Sequence, residues 1–195
     1  MLSEIETPLV SLQNGDGQPL SRGSLDTAQL SELPGVPLIN LRLDPADAAL
    51  SAAVRQAIGV DLPVAPNTVA QAGDRLALWL APDEWLLRCV GDDPAGLVAD
   101  IGRAAGAGWF AVTDQTSGYS VMHLHGPQAS AVLNAGCPLD LHPRVLRLGQ
   151  CAQTHFFRTS ILLRPLADDG QAWELIVRRS FADYAARLLL DAMGL

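Results

Sequence analysis

Hydrophobic positions along the chain change period in a regular order. Residues 38–43 form an apolar-rich run that predicts a strand, and Asp44-Pro45-Ala46-Asp47 follows with an N-cap, a proline at the first helical position and an acid in the first turn. The next segment places Leu50, Val54, Ala57 and Ile58 on one helical face. Leu76, Leu78 and Leu80 then alternate, as do Trp85, Leu87 and Cys89, with Pro82-Asp83 between, which predicts an antiparallel hairpin. Asp93-Pro94 repeats the helix-starting device. Leu97, Val98, Ile101 and Ala105 make that helix amphipathic, and residues 110–113 return to strand. The order so far is β-α-β-β-α-β.

A second pass runs from residue 119. It reads as a strand over 119–124, a short helix opened by Gly126-Pro127 and stopped by Gly136, one strand over 154–163, and another over 173–177. A closing helix is expected to start at Ser180, with Ser180 as N-cap and Asp183 as the acid of a capping box, leading Tyr184, Leu188 and Leu189 into the core. Trp85, Leu87 and Cys89 before Asp93 correspond, about 88 residues on, to Trp173, Leu175 and Val177 before Ser180. This is an internal duplication. Two fused ferredoxin-like β-α-β-β-α-β units would give an α+β fold with two antiparallel sheets, each covered by helices on one face. Residues 1–35 lack apolar periodicity and carry turn formers such as Asn14-Gly15-Asp16-Gly17 and Pro34-Gly35, so they read as an N-terminal arm. The remainder, 36–195, reads as a single globular domain of two pseudo-repeats, about 36–115 and 116–195.

Composition narrows the function classes. The chain has 195 residues, 49% of them hydrophobic and 17% charged, which suits a packed core and argues against extended disorder. A net charge of −8 opposes a polyphosphate backbone, so nucleic acid is not an expected partner. Apolar runs such as 76–81 fall far short of the roughly 18 to 20 residues that cross a bilayer, and no membrane association is expected. Glu4 and Glu6 stand where a secretory signal would carry positive charge, which points to the cytoplasm. Cys89, Cys137 and Cys151 are odd in number and include no C-x-x-C pair, so they read as reduced, buried thiols.

Motifs for dinucleotide binding, P-loop hydrolysis, serine hydrolysis and zinc proteolysis are absent from the sequence. His123 and His125 lie two apart on a strand and would point the same way. Joined by His142 or His155 they would make a three-ligand metal set, but no acidic partner sits at a diagnostic spacing and no metal ligand is assigned. Asp114, in a polar turn between two strands, is the candidate for hydrogen bonding a pterin-like ring, against the alternative of a turn carboxylate capping its own backbone. Arg178-Arg179 before Ser180 would bind an anion at the helix start or form a partner-facing basic edge. Trp79 and Trp109 are candidates for exposed interface aromatics or for core packing.

Several longer runs resemble the sarcosine oxidase gamma subunit family. They are Gly126-Pro127, Gly136-Cys137-Pro138-Leu139-Asp140-Leu141-His142-Pro143, Gly149-Gln150-Cys151-Ala152-Gln153-Thr154, and Arg178-Arg179-Ser180-Phe181-Ala182-Asp183-Tyr184. The first half adds Pro66-Asn67-Thr68 and the run from Leu78-Trp79 through Trp85 to Leu87, so the likeness begins near residue 36. The resemblance implies a non-catalytic subunit of a heterotetramer that oxidises sarcosine to glycine, with tetrahydrofolate accepting the methylene carbon. It implies alpha, beta and delta subunits as partners. FAD, FMN, NAD, tetrahydrofolate and zinc are expected in those subunits, and no cofactor or catalytic residue in this chain. It also implies a fold like the folate-binding domain of aminomethyltransferases. Within that pattern Trp79, Trp85, Gly126, Pro127, Cys137, Pro138, Asp140, Arg178, Arg179, Ser180 and Tyr184 take structural or interface roles, with Pro127 starting a helix. Two other readings share some of these features: the small subunit of N-methylglutamate dehydrogenase, and a free-standing folate-binding one-carbon protein built around Asp114.

Overall fold

The computed structural model describes residues 6–13 and 18–195, and the turn read at Asn14-Gly15-Asp16-Gly17 lies outside them. Its contacts divide the chain into two units, Met1–Gly35 with Ser117–Leu195, and Val36–Thr116. The segment expected to be an arm thus belongs to the first unit. It contributes two strands, β1 (Ser21–Gly23) and β2 (Gln29–Leu33), with Leu9, Leu20 and Leu30 buried in that unit's core.

The second unit runs β3 (Leu38–Leu43), α1 (Ala48–Ile58), β4 (Val69–Ala72), β5 (Arg75–Ala81), β6 (Glu84–Cys89), α2 (Pro94–Ala105) and β7 (Phe110–Asp114). Its antiparallel sheet has the order β4-β5-β6-β3-β7. Leaving aside the edge strand β4, this is the ferredoxin-like arrangement expected from the periodicity. Ile39, Leu41 and Leu43 from β3 and Trp85, Leu87 and Cys89 from β6 share one face, where Val54, Ile58, Leu97 and Ile101 of the helices cover them. Asp93 caps α2 by accepting from the Gly96 amide at 3.0 Å, with Pro94 next to it, as the sequence predicts. At α1 the cap is Asp47, which accepts from the Leu50 amide at 2.9 Å, and not Asp44. Asp44 instead accepts from the Ala46 amide, so the first Asp-Pro forms a turn one step before the helix.

The chain then returns to the first unit with β8 (Tyr119–His125), α3 (Ala129–Asn134), β9 (Ala152–Phe156), β10 (Thr159–Pro165), β11 (Ala172–Arg178) and α4 (Arg179–Ala192). The sheet order is β1-β2-β8-β11-β10-β9. Strand β2 pairs antiparallel with β8 and so fills the place that β7 fills beside β3 in the other unit. Gly126 shows how closely the N-terminal hairpin lies on this unit. Its φ is +119, and a Cβ there would stand 2.5 Å from the Thr27 carbonyl oxygen. Glu32 sits among the buried residues of β2, where its carboxylate accepts from Thr7 Oγ1 at 2.5 Å and lies 3.4 Å from Ser120 Oγ.

The strand expected over 154–163 is a hairpin, broken at Phe157-Arg158 between the last pair, Phe156 and Thr159. Phe157 takes φ +49, a conformation that costs a residue bearing a Cβ about 1–2 kcal/mol. The matching two-residue turn of the other unit, between Ala72 and Arg75, has Gly73 there at φ +59. The duplicated tryptophans are both fully buried, and each indole donates to a loop carbonyl: Trp85 Nε1 to Pro63 at 2.8 Å, Trp173 Nε1 to Gly170 at 3.0 Å.

Candidate functional site

Strands β8, β11 and β10 place His123 opposite Glu174, and Glu174 opposite Arg164, in one row across the first unit's sheet. Residues alternate across a sheet, so Trp173 and Leu175 point into the helix-covered core while Glu174 points to the other face. Glu174 is fully buried. Its carboxylate accepts from Arg164 Nε at 2.6 Å and stands 2.9 Å from His123 Nε2. A buried carboxylate is tolerated only when its charge is offset in this way. His125 packs edge-on to His123 with ring centroids 5.5 Å apart. Burial, and then the neighbouring His123, hold the His125 imidazole below the usual histidine pKa.

The histidines that the sequence offered for metal do not meet as a set of three among the described residues. His123 is committed to Glu174, His142 Nδ1 accepts from the Arg144 amide at 3.1 Å, and His155 lies exposed on β9. Among the described residues no group of three His, Cys, Asp or Glu side chains is placed to hold a metal ion. Sequence reading missed Glu174 because it lies inside the apolar run 172–177. The signal was present as one charge interrupting a strand that faces a histidine.

Asp114 closes β7. Its Oδ1 accepts from the Thr116 amide at 2.9 Å, and Thr116 Oγ1 in turn accepts from the Leu38 amide at 3.1 Å. The carboxylate is exposed and organises its own turn, the local alternative to ring binding. A groove of about 470 Å³ beside α1 is lined by Ser51, Arg55, Asp61, Leu62, Val64 and Trp85 and does not include Asp114.

Other residues singled out in the sequence are divided between packing and surface. Trp85 is core, and Trp79 packs partly buried against the same cluster, whereas Trp109 is 63% exposed. Pro127 is exposed and stands two residues before α3 instead of starting it. Cys137 is buried, with Sγ 4.0 Å from Thr154 Oγ1; the exposed Pro138 follows it, and Asp140 Oδ1 accepts from the His142 amide at 2.9 Å. Cys89, Cys137 and Cys151 are all free thiols and all buried.

Helix α4 departs from expectation at its start. It begins at Arg179 with Arg178 as the flanking residue and no side-chain cap, so Ser180 lies exposed in the first turn and makes no capping bond. Asp183 is taken by other partners: it accepts from Ser11 Oγ at 2.7 Å and from Arg187 Nε at 2.8 Å. The two arginines do not converge on an anion. Arg179 donates to the Glu6 carbonyl, while the exposed Arg178 guanidinium lies 5.4 Å from the centre of the Tyr119 ring. Ala182, Ala185, Ala186 and Leu189 face the core, which leaves Phe181 on the outer side at 45% exposed and with it Tyr184, expected in the core but 37% exposed because small alanines take the inner face of its turn. Two aromatics one turn apart beside the exposed Arg178 have the composition of a protein interface.

Residues 42–194 match the model of the sarcosine oxidase, gamma subunit family. The sarcosine oxidase subunit gamma of Corynebacterium sp. (strain P-1) is 33% identical over 179 residues, covering 91% of this chain and 86% of that protein. That of strain U-96 is 36% identical over 144 residues, 73% of this chain and 68% of that protein. Among solved structures, a chain of the heterotetrameric sarcosine oxidase from Corynebacterium sp. U-96, in complex with pyrrole 2-carboxylate, superposes with a TM-score of 0.83 at 31% identity, covering 97% of this chain and 94% of that one. The glycine cleavage system aminomethyltransferase T of Bartonella henselae superposes at 0.67 and 18% identity, over 95% of this chain and 57% of that one, which shows a shared fold.

Proposed function

Because the chain belongs to the sarcosine oxidase gamma subunit family, we propose that it serves as the non-catalytic gamma subunit of a heterotetrameric sarcosine oxidase. The observation that carries this reading is the near full-length superposition on a chain of such a tetramer. In this role the chain assembles with alpha, beta and delta subunits, which hold FAD, FMN, NAD, tetrahydrofolate and zinc. The complex oxidises sarcosine to glycine with tetrahydrofolate accepting the carbon, in the cytoplasm. This chain supplies folded surface instead of reacting groups. In support of that role, the Glu174 carboxylate is taken up by Arg164 and His123, and Asp114 is engaged by its own turn. No helix among the described residues is long and apolar enough to cross a membrane. The exposed surface of Arg178, Phe181 and Tyr184 is assigned to subunit contact.

The test is to tag this chain in its native host, isolate it gently, and record the flavin spectrum, subunit masses and oxygen consumption of what accompanies it. A yellow four-chain assembly that consumes oxygen with sarcosine is expected. A colourless lone monomer would overturn the reading, and a flavoprotein assembly active only on N-methylglutamate would reassign the amine.

A further inference from the structure

Two glutamates are buried in the first unit, and their surroundings differ. Glu174 has a guanidinium and an imidazole beside it, whereas Glu32 has two hydroxyls and no cation. Glu32 is 7% exposed. Its Oε1 accepts from Thr7 Oγ1 at 2.5 Å and lies 3.4 Å from Ser120 Oγ, while Oε2 is buried with no hydrogen-bond partner among the described residues. An ionised carboxylate there keeps an uncompensated charge, and a protonated one keeps a donor with no acceptor. Either form gains by reaching water.

Thr7 reaches Glu32 from residues 6–13, a segment that holds one short 3-10 turn, Val10–Leu12, and joins no strand ladder. Its apolar grip is small. Leu9 is fully buried and Leu12 packs partly buried against the same core, while Glu6, Val10 and Ser11 are exposed. Its polar ties run to α4 at the surface: Ser11 Oγ donates to Asp183 Oδ1 at 2.7 Å and accepts from Arg187 Nη2 at 2.9 Å, and Arg179 donates to the Glu6 carbonyl. Exposed contacts of this kind contribute little. A segment held by one buried leucine and surface bonds, against a carboxylate that gains by hydration, belongs to the low end of the local stabilities within a fold.

We infer that residues 6–13 form a strap that opens and closes on the folded first unit, with Leu9 as the plug that closes it and Glu32 as the lever that opens it. Opening hydrates the Glu32 carboxylate, withdraws Leu9 from the core and frees the Asp183 and Arg187 side chains of α4 from Ser11. Strands β1, β2 and β8 stay paired throughout, because their ladders include no residue of the strap. The motion needs no partner, so it stands apart from the subunit reading above.

The experiment follows amide hydrogen exchange in the full-length protein, in whatever assembly it is purified. The probes are the amides of Leu9, which donates to Thr7 Oγ1 at 3.0 Å, and of Leu12, which donates to the Leu9 carbonyl at 2.9 Å; the reference is the ladder between β8 and β11. In wild type the probe amides are expected to exchange at least about a hundredfold faster than the ladder, at a rate that low urea leaves unchanged, because a local opening exposes little new surface. Glu32→Gln keeps an acceptor for Thr7 without the carboxylate and should slow the probe amides at least about tenfold, the reverse of what loss of a useful buried bond would do. Leu9→Ala should speed them at least about tenfold. Wild-type probes that exchange at the ladder's rate and with its urea dependence would overturn the strap. So would a Glu32→Gln protein whose probes exchange as fast as wild type or faster, since Glu32 would then be a latch. The wild-type comparison needs no variant, so it decides the matter even where a substituted chain does not fold.

Discussion

Replacing Gly126 by alanine tests the placement of the N-terminal strands. Gly126 closes β8 at φ +119, and a Cβ would stand 2.5 Å from the Thr27 carbonyl oxygen, 2.9 Å from its carbon and 3.1 Å from Ala28 Cα. These are backbone atoms in the turn between β1 and β2. That turn is fixed by the Ser24 amide donating to the Ala28 carbonyl at 3.0 Å and the Gln128 amide donating to the Thr27 carbonyl at 2.9 Å. The clash therefore cannot be relieved by a rotamer change. Two costs add: about 1–2 kcal/mol for a Cβ at positive φ and about 1–3 kcal/mol for overpacking, together about 2–5 kcal/mol. Gly149 supplies the control, because its φ is +82 and a Cβ would meet nothing within 4 Å. Gly149→Ala should lose only the backbone part, about 1–2 kcal/mol. In a chain of this length each kcal/mol lowers the melting midpoint by about 2–4 °C. Urea titration followed by tryptophan fluorescence gives the two free energies, and amide exchange at Leu30 and Ser31 shows whether β2 loosens first. Equal losses for the two variants would refute the close contact between the hairpin and Gly126.

Three further expectations follow from the buried groups. Glu174→Ala leaves Arg164 and His123 facing a site without their carboxylate and should cost about 3–5 kcal/mol in urea unfolding; a loss below about 1 kcal/mol would mean that the cluster is solvated. Burial, reinforced by Asp92, raises the Cys89 thiol to about 11, so iodoacetamide near neutral pH should leave it unmodified in the folded chain and label it after denaturation, and mass spectrometry showing rapid native labelling would contradict its burial. His125 has a lowered pKa in the fold, so its stability contribution is complete above the unfolded value near 6.5 and is lost as pH falls through that value toward the folded one. Melting midpoints measured from about pH 8 to pH 5 should therefore fall less steeply in His125→Asn than in wild type, and identical slopes would discard the assignment.

Local signals were read correctly where their partners are local. The Asp93-Pro94 cap, the hairpin around Pro82-Asp83 and the inward set Trp85, Leu87 and Cys89 all follow from neighbours within a few residues, and the structure places them accordingly. The duplicated tryptophans also marked the two sheets. Small displacements arose where two local options compete, as when Asp47 and not Asp44 caps α1, or where Ser180 resembles a cap although α4 has already begun at Arg179.

The site was legible in part. The motif around Arg178 and Tyr184 was visible as a run of residues, but whether its side chains face the core or solvent depends on how α4 packs, and Phe181 emerged only from that packing. Glu174 looked like an interruption in an apolar strand until register set it between Arg164 and His123. Residues 29–33 illustrate the limit most clearly. Their alternation is obscured because Glu32 is buried alongside Leu30, and that burial is tolerable only with Thr7 and Ser120 contributing hydroxyls from 25 and 88 residues away. The sequence by itself therefore determined the β-α-β-β-α-β order of residues 38–114 apart from the edge strand β4, the duplication and the family. Tertiary structure decided that β2 joins β8, that Phe157 turns a hairpin, and which polar groups pair in the interior, because a buried charge or a strand edge is satisfied by whatever the fold brings to it.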